Sequence, residues 1–129
     1  MRYLLVDDNE PFLEASRTLL SREGLEVVGT ATTAAECVRA ANELDPDVIL
    51  VDVDLGAESG LALADRLAEA PAGWGVIFMS THAAEDYAEL ATEVGALGFV
   101  AKSELCRDAV EAIVRGFRRT SSAEPTGGR

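Results

Sequence analysis

The chain is poor in basic residues. Eleven Lys and Arg residues stand against 23 Asp and Glu residues, so the formal net charge is −12 at pH 7. Such a surface repels nucleic-acid phosphates and anionic lipid headgroups. We therefore expect no direct binding of nucleic acid and no docking on a membrane.

Long apolar runs are also missing. Stretches such as VILV are far shorter than the roughly 20 apolar residues that a membrane-spanning helix needs. The N-terminal segment MRYLLVDDNE meets charged residues too soon for a signal peptide. The sequence therefore predicts a cytoplasmic protein.

Thiol and imidazole side chains are scarce. Cys37 and Cys106 are the only cysteines, and both fall on predicted helices with apolar neighbours. This setting favours two free thiols over a disulfide or a metal pair. His82 is the only histidine, and we expect it in a solvated loop rather than at a metal.

Strand and helix patterns alternate five times along the 129 residues, a length typical of one domain. Short apolar runs predict strands at 2–6, 25–31, 47–52, 76–80 and 97–101. Helices are predicted from the Asn9 cap to about residue 23, from Thr32 or Thr33 to Pro46, from Ser59 onward, over about 84–94, and over about 104–119, with a loop at 53–58. This alternation predicts an α/β fold with a doubly wound, five-stranded parallel sheet.

Helical spacing of apolar residues predicts which helix faces are buried. The stripe of the first helix consists of Phe12, Leu13, Leu19 and Leu20. The stripe of the last helix consists of Leu105, Ala109, Ile113 and Phe117. We expect both stripes to face the core.

Three acidic residues follow predicted strands. Asp7 and Asp8 follow the first strand, and Asp52 ends the run DVILVD. Because the carboxyl ends of parallel strands share one edge, where open α/β sheets bind ligands, these carboxylates should meet there. Like charges so close would force a proton onto one of them, whereas a hard cation such as Mg²⁺ prefers oxygen ligands. The sequence therefore predicts an acidic magnesium pocket.

Two more polar residues belong to the same predicted edge, because Ser80 ends the fourth strand and Lys102 follows the fifth. Three carboxylates, a hydroxyl and an ammonium around a metal suit phosphoryl transfer, since a carboxylate can act as nucleophile and the cations can neutralise the transferred group. Singly, each residue has an ordinary structural interpretation, such as a turn carboxylate or a surface lysine. Only their convergence indicates function.

Four stretches resemble the signature segments of bacterial response-regulator receiver domains, namely VDDNEPF, DVILVDVDLGAESG, VIFMST and GALGFVAKS. The spacing fits too, with 44 residues from Asp8 to Asp52, 28 from there to Ser80 and 22 more to Lys102. The resemblance covers roughly residues 2–119. It implies a (βα)5 flavodoxin-like three-layer sandwich, with a receiver domain over 1–119 and a flexible polar tail or the start of a linker at 120–129.

The resemblance implies a role for each of these residues. Asp52 is the expected acceptor of a phosphoryl group from a sensor histidine kinase or a phosphotransfer protein. The expected ligands of Mg²⁺ (or Mn²⁺) are the carboxylates of Asp8 and Asp52, the backbone carbonyl of Asp54 and, through a water molecule, Asp7. Lys102 is expected to pair with the phosphoryl group. Such a domain is a signalling module rather than an enzyme, although it assists its own phosphorylation and dephosphorylation.

The resemblance also implies a two-state switch. Ser80 would move toward the phosphoryl group, and Phe99 would change rotamer with it. These changes would alter the face formed by the helix at 84–94, the strand at 97–101 and the last helix. We expect this face to carry the output, including homodimerisation on phosphorylation as one option.

Several loop residues are expected to tune the site. In this family Thr81, His82 and Asp54 stand where side chains set access to the acceptor and the lifetime of the phosphoryl group. Thr81 replaces a smaller residue and would narrow that access, whereas Gly56 replaces a usual proline and would loosen the metal-binding loop. Ser103 also replaces a proline, and a cis peptide bond before it would cost about 2.5–4 kcal/mol.

Kinase docking in this family usually uses the first helix and the loop after the fifth strand. The exposed helix residues Glu14, Arg17 and Thr18 would then set partner choice. The domain is expected to act through protein contacts, either alone or as the N-terminal part of a transcriptional regulator.

Three other interpretations stay open. Asp52-Val53-Asp54 is a DxD motif, as in haloacid-dehalogenase-like phosphatases, although there the motif normally opens the chain. A flavodoxin-like cofactor binder would need a phosphate loop rich in Ser, Thr or Gly, whereas DDNEP would repel phosphate. A receiver that only docks and never accepts phosphate would not need the complete acidic set.

Overall fold

The computed structural model describes residues 1–81, 93 and 95–119. Its strands are β1 (Arg2–Val6), β2 (Glu26–Ala31), β3 (Val48–Asp52), β4 (Asp54–Leu55), β5 (Glu58–Ser59), β6 (Gly75–Ser80) and β7 (Gly98–Ala101). Its helices are α1 (Glu10–Arg22), α2 (Ala34–Leu44), α3 (Gly60–Glu69) and α4 (Arg107–Val114), and a 3₁₀ helix spans Lys102–Glu104. His82, the tail at 120–129 and, apart from residue 93, the helix predicted over 84–94 lie outside the described residues. None of the helices described is both long and apolar enough to cross a membrane.

Five strands form one parallel sheet in the order β2-β1-β3-β6-β7. Every neighbouring pair is parallel, and the register sets Asp52 opposite Met79 and Ser80 opposite Ala101. β3 and β6 are buried along their whole length, as their nearly continuous apolar runs predicted. The predicted five-stranded parallel sheet is confirmed.

Helices cover both faces of this sheet and complete three layers. Side chains alternate along β1, so Leu4 and Val6 face one side and Tyr3 and Leu5 face the other. The core around Leu4 includes residues of α2 and α3, and the core around Leu5 includes residues of α1 and α4. The doubly wound sandwich predicted from the sequence is therefore confirmed.

Polar side chains define where three helices begin. Asn9, Thr33 and Ser59 each accept a hydrogen bond at 3.1 Å from the backbone N–H three residues later. These bonds satisfy N–H groups that have no partner inside the helix. Gly24, with φ of 102°, ends the first helix in a conformation that other residues rarely adopt. All three predicted N-caps are confirmed.

The last helix is shorter than predicted. Apolar spacing predicted a helix over about 104–119, yet α4 ends at Val114. Gly116 has φ of 84° and turns the chain. Phe117 then packs against Gly75, where an added Cβ would lie 2.8 Å from the Phe117 ring. The prediction was wrong because Phe117 keeps the helical spacing but reaches the core after a turn.

Three smaller predictions also need correction. The segment 53–58, predicted as a loop, contains the hairpin formed by β4 and β5. Leu19, predicted to face the core, is 42% exposed. Cys106 occupies the position just before α4, without a side-chain capping bond, instead of lying within the helix; both cysteines are free as predicted.

Candidate functional site

The predicted site residues meet at the carboxyl edge of the sheet. Asp7 follows β1, Asp52 ends β3, Ser80 ends β6 and Lys102 follows β7. One carboxylate oxygen from each of Asp7, Asp8 and Asp52 lies within 4.8 Å of the others. Because β1, β3 and β6 are neighbours and run the same way, the parallel topology alone brings these groups together.

The site has a buried floor and an exposed rim. Asp7 and Ser80 are fully buried, and Asp52 is only 4% exposed. Asp8 is exposed. Asp8 therefore lies on the solvent-facing rim of the site, above the buried carboxylates of Asp7 and Asp52.

Lys102 joins the two buried carboxylates. Its Nζ lies 2.5 Å from Oδ2 of Asp7 and 3.1 Å from Oδ2 of Asp52. The same ammonium lies 4.6 Å from the centre of the Phe12 ring, within the range of a cation–π contact. The sequence had assigned Phe12 to the core alone. Its position in the first turn of α1, which starts at this edge, was the signal that could have linked it to the site.

Backbone groups hold the carboxylates in place. Oδ1 of Asp7 accepts a hydrogen bond from the Asn9 N–H at 2.9 Å, and Oδ1 of Asp52 accepts one from the Asp54 N–H at 3.1 Å. Among the described residues, Oδ2 of Asp7 has no hydrogen bond of good geometry, although the Lys102 ammonium contacts it. A buried carboxylate oxygen of this kind has coordination capacity left for a cation.

The electrostatics of the site leave it short of positive charge. Burial raises the pKa of Asp52 to about 6, and the Asp7 charge adds to the effect, while the Asp54 N–H and Lys102 oppose it. Burial lowers the pKa of Lys102, but its contacts with the carboxylates of Asp7 and Asp52 outweigh burial and leave the pKa above its usual value. Lys102 therefore stays cationic. Among the described residues, three carboxylates and one ammonium leave a formal charge of −2, which one divalent cation would balance.

Two glycines make room for the site: Gly56, predicted in the metal-binding loop, and Gly60, which the sequence had not assigned to the site. A Cβ at Gly60 would lie 1.9 Å from the carbonyl oxygen of Asp52, so only glycine fits where α3 begins. Gly56 has φ of 63°, and a Cβ there would lie 3.1 Å from Oδ2 of Asp8. Proline, which is locked near φ of −65°, could not adopt this conformation.

The other predicted site residues lie around this edge. Thr81 is exposed at the end of β6, and Asp54 is exposed at the start of β4. Phe99 is half-buried in β7, opposite Phe78, and packs against the core. The peptide bond between Lys102 and Ser103 is trans.

Comparison with known proteins finds clear relatives. A family model for the response regulator receiver domain matches residues 3–114. The transcriptional regulatory protein YvfU of Bacillus subtilis (strain 168) is 32% identical over 122 residues, which cover 92% of this chain and 61% of that protein. The chain spans between 55% and 61% of the length of the first curated relatives it matches.

Solved structures agree with this match. A two-component response regulator of the LuxR family from Aurantimonas sp. SI85-9A1 has a TM-score of 0.79 and 31% identity, covering 94% of this chain and 89% of that chain. A response regulator from Burkholderia pseudomallei, solved with a phosphorylated aspartic acid, calcium and citrate, has a TM-score of 0.75 and 28% identity, covering 87% of this chain and 65% of that chain.

Proposed function

The chain belongs to the response regulator receiver domain family of two-component signal transduction, and on that premise we propose that Asp52 accepts a phosphoryl group from a sensor histidine kinase or a phosphotransfer protein. One observation carries the proposal. Lys102 lies against Asp52 and Asp7 at a sheet edge where three carboxylates converge. A nucleophile, a fixed cation and room for a metal are thereby assembled in one place.

The proposed reaction transfers the phosphoryl group between two proteins. A carboxylate oxygen of Asp52 attacks phosphorus, the bond from phosphorus to the donor's imidazole nitrogen breaks, and the imidazole keeps the electron pair. The product is an acyl phosphate on Asp52. Lys102 would neutralise the oxygens of the transferred group. The same pocket would later admit water, so that the domain assists its own dephosphorylation.

The donor set fits Mg²⁺ or Mn²⁺. The net charge of the site and the clustered carboxylates favour a hard divalent cation. Oδ2 of Asp7, which contacts Lys102 but has no hydrogen bond among the described residues, adds a further oxygen lone pair to the site. Asp8, Asp52 and the backbone carbonyl of Asp54 would hold it, with Asp7 acting through a water molecule. When bound, the cation would supply positive charge for the acceptor carboxylate and the phosphoryl oxygens.

Ser80 and Phe99 are the proposed switch residues. They lie on the adjacent strands β6 and β7, at or near the edge that carries Asp52. A hydroxyl turned toward the phosphoryl group would open space for Phe99 to change rotamer, and this would bias the neighbouring surface between two states. Thr81, His82 and Asp54 would tune access to Asp52 and the phosphoryl lifetime.

Partner contacts are proposed on α1 and on the face predicted to switch, which the segment 84–94, the strand at 97–101 and the last helix form. Glu14 and Thr18 line a shallow depression on α1 together with Leu19, and they line a second one together with Arg17. These depressions support the predicted kinase contact at Glu14, Arg17 and Thr18. Since the curated relatives include transcriptional regulators, we infer a transcriptional output, through a linked DNA-binding domain or through protein contacts that include a phosphorylation-dependent homodimer.

Phosphorylation by a small donor tests the proposal. The protein is incubated with acetyl phosphate and Mg²⁺ and its intact mass is recorded, beside an Asp52→Asn control and a sample with EDTA. We expect one added phosphoryl group in the wild type and none in either control. Absence of phosphorylation together with absence of beryllofluoride binding would contradict the proposal and leave a docking module. Beryllofluoride binding alone would indicate a pocket that requires its kinase.

A further inference from the structure

The hairpin formed by β4 and β5 borders the site but is too short to be stable alone. Each strand has two residues, and the register sets Asp54 opposite Ser59 and Leu55 opposite Glu58. Isolated hairpins, even longer ones, are marginal in water. Contacts to the rest of the chain must therefore fix its position.

Two of its residues touch the proposed metal ligands. The N–H of Asp54 donates a hydrogen bond to Oδ1 of Asp52 at 3.1 Å. Gly56, in the turn, lies so close to Asp8 that a Cβ would come within 3.1 Å of Oδ2. A shift of the hairpin would therefore change the surroundings of Asp8 and Asp52 and the position of the Asp54 carbonyl.

The hairpin is tied to a helix by one carboxylate. Oε1 of Glu58 accepts a hydrogen bond at 2.9 Å from the N–H of Ala34, the first residue of α2. That N–H has no acceptor within the helix, and negative charge is favourable at a helix N-terminus. The two residues are 24 positions apart in the sequence. The bond joins the hairpin to α2, which packs on one face of the sheet.

We propose that Glu58 is a positioning residue for divalent-cation binding. Its bond to α2 holds the hairpin where the Asp54 carbonyl and the Asp8 carboxylate can share one cation. This inference rests on the proposed function, since it concerns the same cation site. Glu58 itself binds the helix and acts only through the hairpin.

The chain offers a matched control at the same helix end. Glu36 is exposed like Glu58, and its carboxylate accepts hydrogen bonds at 2.9 Å from the N–H and the Oγ1 of Thr32. Loss of Glu36 removes the same charge and a similar contact near the start of α2. It leaves the bond between the helix and the hairpin in place.

Mg²⁺ titration of the unphosphorylated protein by isothermal calorimetry tests the proposal on the wild type and on Glu58→Ala, Glu58→Gln and Glu36→Ala. We expect Glu58→Ala to raise the Kd for Mg²⁺ about threefold to tenfold, the range expected for losing a charge-assisted bond at a helix end. Glu58→Gln should retain part of the affinity, because its amide oxygen can still accept the Ala34 hydrogen bond. Glu36→Ala should leave the Kd unchanged while lowering Tm about as much as Glu58→Ala does.

Two results would overturn the proposal. One is an unchanged Kd for Mg²⁺ in Glu58→Ala, and the other is an equal loss of Mg²⁺ affinity in Glu36→Ala. Either would show that Glu58 only stabilises the start of α2 and does not position the cation site. No Mg²⁺ binding by the wild type would instead refute the cation site of the proposed function, and with it this inference. Far-UV circular dichroism on all four proteins separates these outcomes from a failure to fold.

Discussion

Replacing Asp52 by Asn should make the protein more stable at pH 7 when no divalent cation is present. The carboxylate is buried, and it lies among two other acidic groups, with Lys102 as the one compensating cation among the described residues. Asn keeps the size of the side chain and removes its charge. The variant therefore has no phosphoryl acceptor. It also avoids the electrostatic cost of keeping a buried carboxylate ionised at position 52.

The size of the effect follows from the pKa of Asp52. Burial first, and then the Asp7 charge, raise it from 3.8 to about 6. At about 1.4 kcal/mol per unit this shift corresponds to about 3 kcal/mol. Water reaches the rim of the pocket and screens part of the interaction, so we expect a gain of about 1–2 kcal/mol in the free energy of unfolding. For a domain of this size the gain is a rise in Tm of about 3–10 °C.

The pH dependence has a defined sign. Between pH 3.8 and about 6, Asp52 is protonated to a greater extent in the folded wild type than in the unfolded chain. Its stability relative to the Asn variant therefore rises as the pH falls through about 6. The difference in the free energy of unfolding between Asp52→Asn and the wild type should be largest above about pH 7 and should shrink toward zero near pH 4.

Thermal unfolding in EDTA at several pH values measures this difference. Asp65→Asn is a suitable control, because Asp65 is exposed on α3 and the same unit of charge is removed from a chain of net charge −12. An Asp52→Asn variant no more stable than the wild type at pH 7, or a difference that persists at pH 4, would refute this account of the site. Mg²⁺ should raise the Tm of the wild type more than that of Asp52→Asn.

Three further substitutions probe the neighbourhood of Asp52. Gly60→Ala should destabilise the fold by about 3 kcal/mol or more, because its Cβ would lie 1.9 Å from the Asp52 carbonyl oxygen. Gly116→Ala, which has a positive φ but nothing within 4 Å of an added Cβ, should cost only about 1–2 kcal/mol. Urea unfolding measures both losses of stability, and equal losses would contradict the steric argument. Thr81→Ala should speed phosphorylation by acetyl phosphate, followed by intact mass over time, because a smaller side chain widens access to Asp52; an unchanged rate would count against this role. His82→Ala should change the decay rate of the phosphorylated protein, and a decay identical to the wild type would show that His82 does not tune the site.

The sheet and the site could be predicted because one geometric rule governs both. Apolar runs such as VILV and VIFM mark buried strands, and parallel strands must share their carboxyl edge. Asp52 and Ser80, which end two such runs, were therefore expected close together. The structure places both at that edge and buries both.

Elements without a repeating pattern could not be predicted. A strand of two residues has no alternation to detect, so the hairpin at β4 and β5 was interpreted as loop. Phe117 shows the opposite problem, since it fits a helical stripe yet packs on Gly75 only after the turn at Gly116. In both cases tertiary contact, rather than local pattern, decides the backbone.

Single polar contacts between distant residues carry even less signal. Glu58 bonds Ala34 across 24 positions, and Arg119 bonds Asp45 at 2.6 Å across 74. Each contact joins one side chain to one atom, so nothing in the surrounding sequence repeats or alternates because of it. The sequence locates the acids of the site, whereas such contacts determine how firmly the loops around them are held.

The acidic edge is also where this chain departs from the rules that stabilise the rest of the fold. Elsewhere in the part of the chain that the structure describes, buried side chains are apolar apart from Ser16. Asp7 and Asp52, in contrast, are buried beside each other and share the single charge of Lys102. A site that is unfavourable without its ligands gains stability when a cation or a phosphoryl group completes it. On the proposed function, the cost of burying the Asp52 carboxylate beside Asp7, which raises its pKa, would contribute free energy by which phosphorylation shifts the protein between two states.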